Sequence, residues 1–242
     1  MKKTLWIVLI GMLILTACGQ TGIKIIPHPT PEMKMDLQPF YDIGCNEKLD
    51  NCNDNPALKP FGCDSLDTTL LYLGGLGVPI IECKISQAYH NNVVDIQQME
   101  KEHSYFFVKD CSWQSHVRYI VYRNGQFELI ESMDKLQAAF APIDSPDKAL
   151  SYAIAATGAF AYYDGLAYDP KMKYYDEKPI EMTHVVKTSD GYVVNLFNFR
   201  TCGCGPHDMS SVSVNVNKDG TVTAGDRIPL YEDTSMEGMC VD

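Results

Sequence analysis

The segment Thr201-Cys202-Gly203-Cys204-Gly205-Pro206-His207-Asp208 gathers two thiols and an imidazole within six residues. Two thiolates and an imidazole at this spacing suit a soft or borderline cation. Cys202, Cys204 and His207 would be the ligands, with Cys111, His116 or Cys240 completing a tetrahedral set. The same residues also read as a structural turn. Its glycines supply positive φ, Pro206 fixes the chain direction, and each cysteine pairs with a distant partner. A ring closed between Cys202 and Cys204 themselves would be small and strained. Dithiol exchange calls for Cys-x-x-Cys ahead of a helix, whereas these cysteines fall between strands, where no helix end lowers a thiol pKa. The structural turn is the expectation carried forward, and the metal site is its alternative.

Other chemistry is thinly represented. Met33 and Met35, or Met236 and Met239 with Cys240, have thioether spacing that could hold a soft metal, although methionine also serves as adaptable packing. Gly-x-Ser-x-Gly and His-Glu-x-x-His do not occur. His184 falls in a strand pattern, where a single histidine is ordinarily packed or on the surface. The carboxylates lie mostly in loops and form no evident acid–base pair. Gly74-Gly75-Leu76-Gly77 lacks the Lys-Ser/Thr of a phosphate loop and reads as a turn. The expectation is a non-catalytic chain without a cofactor.

The N-terminus specifies an address. Lys2 and Lys3 precede an apolar run from Leu5 to Leu15, the length of a signal-peptide core and too short to span a bilayer. The run ends Leu15-Thr16-Ala17-Cys18-Gly19. These residues resemble the lipobox of bacterial lipoproteins. The resemblance covers residues 1–19. It implies cleavage before Cys18, diacylglycerol on the Cys18 thiol and often an acyl chain (palmitate or similar) on the new amino group. Each buried methylene of such chains stabilises by about 0.8 kcal/mol, so two or three chains make a durable anchor. The implied partner is a membrane, on its extracytoplasmic side.

An exported chain meets an oxidising medium, and eight cysteines remain once Cys18 is assigned to lipid: Cys45, Cys52, Cys63, Cys83, Cys111, Cys202, Cys204 and Cys240. An even number in this setting reads as a disulfide framework, with about a hundred possible pairings that spacing alone does not resolve. The net charge is −11, and loss of Lys2 and Lys3 with residues 1–17 takes it to −13. Such an acidic chain is repelled by nucleic acid and by anionic headgroups, so no nucleic-acid partner is expected. An envelope protein remains a possible partner.

Four segments follow: a signal peptide, 1–17; a lipidated N-terminus and Pro-rich tether, 18–40; a Cys-rich α+β half, 41–143; and a helix with antiparallel sheet, 144–242. Pro27, Pro29, Pro31 and Pro39 favour extended chain in the tether, which would reach about 70–80 Å. Asp50, Asn53, Asp54 and Asp64 raise a calcium reading, but the EF-hand spacing is missing and turn roles fit better. A short helix is predicted over 65–76. Strands are predicted over 78–85, 104–108, 117–122 and 127–130, the last two joined by a type I′ turn at Asn124-Gly125. Ser132 and Ser145 are predicted N-caps, the second followed by Pro146 and Asp147, and Pro142 and Gly158 are predicted helix stops. Leu150, Ala153 and Ile154 give the second helix an apolar face. Residues 160–175 read as an aromatic loop packed on the core. Strands follow at 182–188, 192–200, 211–217 and 221–224, with Val212, Val214 and Val216 alternating with polar residues.

Two stretches share a layout. Residues 105–130 run strand, Cys111, a turn with His116, strand, Asn-Gly, strand. Residues 192–224 run strand, Cys202 and Cys204, a turn with His207, strand, Asp-Gly, strand. A helix followed by an antiparallel meander resembles cystatin-like and PepSY-type modules, most closely over 144–233. The cystatin-like layout implies a peptidase-inhibitor module as a further alternative. The fold class expected is α+β, dominated by antiparallel sheet, few in helices and stapled by disulfides.

Overall fold

The computed structural model describes residues 23–68, 72–86, 104–111, 114–163 and 171–241. The signal peptide and Cys18 lie outside the described residues. In chain order the strands of the first half are β1 (Ile25–Ile26), β2 (Ser65–Asp67), β3 (Ile80–Ser86), β4 (Phe107–Lys109), β5 (Ser115–Arg123) and β6 (Gln126–Ile130). Those of the second are β7 (Met172–Tyr174), β8 (Ile180–Glu181), β9 (His184–Lys187), β10 (Gly191–Phe199), β11 (Gly203–Cys204), β12 (Asp208–Asn217), β13 (Val222–Ala224), β14 (Ile228–Asp233) and β15 (Cys240–Val241). The α-helices among the described residues are α1 (Gln38–Asp42), α2 (Met133–Phe140) and α3 (Pro146–Thr157). The architecture is α+β, mostly antiparallel sheet with few helices.

Two antiparallel sheets carry the fold. The first runs β2-β3-β5-β4, with β6 also on β5; the second runs β7-β14-β12-β10-β9, with β13 also on β12. They share a plan. Long strand β5 pairs along one edge with β3 and along the other with β4 and then β6. Long strand β12 pairs along one edge with β10 and along the other with β14 and then β13. The predicted turn at Asn124-Gly125 is present, with φ of 52° and 82°, the left-handed pair a type I′ hairpin requires.

Helix α3 lies between the sheets. The Ser145 hydroxyl accepts from the Lys148 amide, Pro146 occupies the first turn, and Gly158 ends the helix at φ 68°. Every residue from Ala149 to Ala155 is buried, so the helix is apolar all round rather than along one stripe. It shares one cluster with Val117, Tyr119 and Val121 of β5 and with Val212, Val214 and Val216 of β12. The two sequence halves therefore close over a common core. The opposite face of the first sheet is covered by the Cys-rich loop: Ile120, Ile81 and Cys83 meet Phe40, Leu49 and Leu58. The opposite face of the second buries Phe197, Met209 and Tyr231 against Ile180 and Met182, with Ile23 and Ile25 packed on them.

Several expectations are corrected. Residues 23–40 are not a free tether: β1 pairs in parallel with β8, Met33 and Met35 pack on the central core, and Phe40 is buried. Their prolines do favour extended chain, but this chain has apolar side chains to bury and lies along the body. Gly74 records the same contact, and Gly75 a second close approach, to helix α3. A Cβ on Gly74 would lie 2.8 Å from the Lys34 carbonyl oxygen, and one on Gly75 would lie 2.2 Å from that of Asp147. The helix predicted over 65–76 is instead strand β2 and a 3₁₀ turn at Leu73–Leu76, with 69–71 outside the described residues. Pairing of Leu66 with Cys83 and the poor helix propensity of Gly74 and Gly75 account for the change. The aromatic stretch ends in an edge strand, β7, and residues 164–170 lie outside the described residues. Strand β14 went unpredicted because Pro229 interrupts it; the proline sits where β12 shifts register between Met209 and Ser210, a bulge that tolerates a missing donor.

Candidate functional site

All eight cysteines outside the N-terminal segment are joined in disulfides: Cys45–Cys52, Cys63–Cys83, Cys111–Cys202 and Cys204–Cys240. The alternative metal site at Cys202, Cys204 and His207 is thereby corrected, because each sulfur spends its valence on a different distant partner and neither offers a thiolate. His207 is 1% exposed, and its Nδ1 and Nε2 face the carbonyl oxygens of Arg200 and Met239, each at 3.2 Å. It ties the tip to the C-terminal strand, where Cys204 and Cys240 face each other across the β11–β15 pair. His116 is not in a turn: it lies buried in β5, edge-on to Tyr105 at 4.3 Å. The predicted repeat acquires a physical link, since Cys111–Cys202 joins the turns that follow β4 and β10.

The acidic loop serves its own backbone. Asp64 Oδ2 accepts from the Ser86 amide at 2.8 Å, Asn53 donates to the Asp64 carbonyl at 2.7 Å, and Asp54 meets Lys59 at 3.5 Å. Two concavities among the described residues bear on function. A groove of about 880 Å³ runs beside Cys111–Cys202, lined by Lys109, Arg200, Arg227 and Asp208 with Phe107 and Phe160. A smaller one of about 390 Å³ is lined by Glu181, His184, Asn195, Ser211 and Ser213.

Among the described residues, a close group of metal-type donors stands at the smaller cavity. His28, Glu181 and His184 bring their donor atoms within 4.8 Å of one another. His28 Nε2 is 3.1 Å and His184 Nε2 is 3.8 Å from Glu181 Oε1. The two imidazoles stack with centroids 4.5 Å apart and planes 27° from parallel. His184 Nδ1 lies 2.8 Å from the Met182 carbonyl oxygen. That carbonyl can only accept, so Nδ1 carries a proton, and Nε2 is the ring nitrogen turned toward Glu181. Asn195 donates to the Glu181 carbonyl at 2.9 Å and fixes the corner between β8 and β9.

Sequence reasoning did not find this group. His28 fell in the supposed tether, and His184 stood alone in a strand. The only local signal was the spacing Glu181-x-x-His184, which puts two strand side chains on opposite faces unless the chain bends between them. It bends at Met182-Thr183, and β1 delivers His28 from more than 150 residues away. No family model, curated protein or solved structure matches this chain.

Proposed function

We propose that this chain is an exported, lipid-anchored envelope protein that binds a partner without catalysing a reaction. The observation that carries the reading is the oxidised state of all eight cysteines of the body. Disulfides persist in oxidising, extracytoplasmic spaces, and a framework of four fits a chain that leaves the cytoplasm. The lipobox-like Leu15-Thr16-Ala17-Cys18 supplies the means of retention. Among the described residues no helix is long and apolar enough to cross a membrane.

The packed N-terminal segment sharpens the proposal. Ile23 packs on the second sheet and Ile25 pairs with β8, which leaves residues 19–22 between the lipidated cysteine and the body. That stretch spans at most about 18 Å, so the body stands close to the bilayer instead of far above it. Its acidity keeps it from lying flat on anionic headgroups. The test is to express the full chain and its Cys18→Ala variant in a bacterial host, fractionate the cells, and weigh the intact products. The expected result is a membrane-bound product beginning at Cys18 with added diacylglycerol mass, and loss of that mass and of membrane retention in the variant. An unmodified Cys18, or a cytosolic product with its leader attached, overturns the reading.

A further inference from the structure

We propose that His28, Glu181 and His184 bind a divalent transition-metal cation of the zinc type, and that the bound cation fastens the N-terminal segment to the body. Two imidazoles and one carboxylate form a donor set suited to borderline cations such as Zn²⁺ and Co²⁺, less so to the all-oxygen preferences of Ca²⁺ and Mg²⁺. Donor atoms around a tetrahedral zinc at bond lengths near 2.1 Å lie about 3.4 Å apart. The separations of 3.1 and 3.8 Å bracket that value. The widest separation in the group is at most 4.8 Å, so a shift of about 1.4 Å or less gathers the set.

The surroundings favour a cation over a plain ion pair. Stacked imidazoles repel if both are protonated, whereas a neutral pair can share one central cation with Glu181. The Met182 carbonyl sets the His184 tautomer that leaves Nε2 free to coordinate, the outer support that metal-bound histidines commonly have. Glu181 and His184 line the cavity of about 390 Å³, so the remaining coordination position opens to water or to a donor entering there. The side chains of His28 and His184 are 28% and 20% exposed, which leaves the site reachable from solvent.

Position supplies the consequence. Beyond apolar packing, β1 is held to β8 by a two-residue parallel pair, and His28 lies two residues past its end. A cation bridging His28 to Glu181 and His184 closes that junction with bonds independent of the strand pair. Binding that favours the docked form stabilises it by mass action.

The test uses the full chain in detergent carrying Cys18→Ser, which removes the competing thiol and makes the result independent of lipid at that position. After chelator treatment the protein is titrated with Zn²⁺ by calorimetry and with Co²⁺ by visible absorption. The expected result is one equivalent per chain, with Kd on the order of micromolar or tighter. His28→Ala and Glu181→Gln each weaken binding at least tenfold while the metal-free variants keep a cooperative thermal unfolding transition. Zn²⁺ also slows amide exchange over residues 25–28 at least tenfold in the parent and not in Glu181→Gln. Absence of binding overturns the site, as does binding that both variants leave unchanged. Unaltered exchange in a Zn²⁺-saturated parent overturns the fastening role.

Discussion

Arg118 carries a charge into the interior at 1% exposure. A strand that reads Val117-Arg118-Tyr119 would ordinarily turn its arginine to water. Here the disulfide-bonded loop covers that face, and the guanidinium donates from Nη2 to the carbonyl oxygens of Phe61 and Gly62 at 3.1 and 3.0 Å. Nη1 stands 3.8 Å from Glu131, and burial lowers the pKa of the group without approaching neutrality. Replacing Arg118 with Leu removes the donor to both part-buried carbonyls and the cation facing Glu131. Chemical denaturation of the oxidised protein should show a loss of about 3 kcal/mol. An unchanged midpoint would mean that water replaces the guanidinium. The failed metal expectation at residue 202 belongs to this scale too. Cys202, Cys204 and His207 were legible as an unusual tip, but spacing within eight residues says nothing about Cys111 and Cys240, which take the two sulfurs.

At the scale of elements, local rules held where local chemistry decides. Ser132 and Ser145 accept the bonds expected of caps, from the amides of Lys135 and Lys148, because a hydroxyl two or three residues from an unpaired amide needs no tertiary help. Alternating Val212, Val214 and Val216 are buried as the period requires. Elements went wrong where a distant partner decided. Pro229 is tolerated in β14 where Leu230 bulges out of register with β12, and β2 exists because β3 is beside it. The Cys111–Cys202 bridge joins the two sheets across 91 residues of sequence. Loop closure of that length removes enough unfolded-chain entropy to stabilise by about 4–5 kcal/mol. The double replacement Cys111→Ser with Cys202→Ser should lower the denaturation midpoint accordingly, more than loss of Cys45–Cys52, whose loop spans 7 residues. Equal effects of the two deletions would argue that strain or unfolded-state structure outweighs loop length.

For the whole molecule, the shared core makes alkaline pH a global probe. Burial pushes the Tyr119 phenol well above its ordinary pKa of 10.0, with the Glu82 charge adding to the shift. Burial moves Tyr152 to about 12, helped by Asp219. Both hydroxyls donate to main-chain oxygens at 3.0 Å, Tyr119 to Ala155 and Tyr152 to Gly220, and a phenolate can do neither. The folded pKa exceeds the unfolded one, so this stability is complete below pH 10 and drains away as pH rises toward 12. Circular dichroism and tyrosinate absorbance followed together should show a late group of phenols ionising only as the fold is lost. Ionisation of every tyrosine near pH 10 with the fold intact would contradict this packing.

The sequence by itself determined what depends on neighbours along the chain: the two capped helices, the Asn-Gly hairpin, the alternating strands, the antiparallel α+β character and an even set of cysteines suited to pairing. Each follows from steric preference or hydrogen bonding over a few residues. Tertiary structure alone decided which cysteine meets which, that residues 23–40 lie on the body, that both faces of β5 are covered, and that His28 stands beside Glu181 and His184. Those outcomes rest on which distant surfaces exclude water from one another, a property of the closed core that no local window contains.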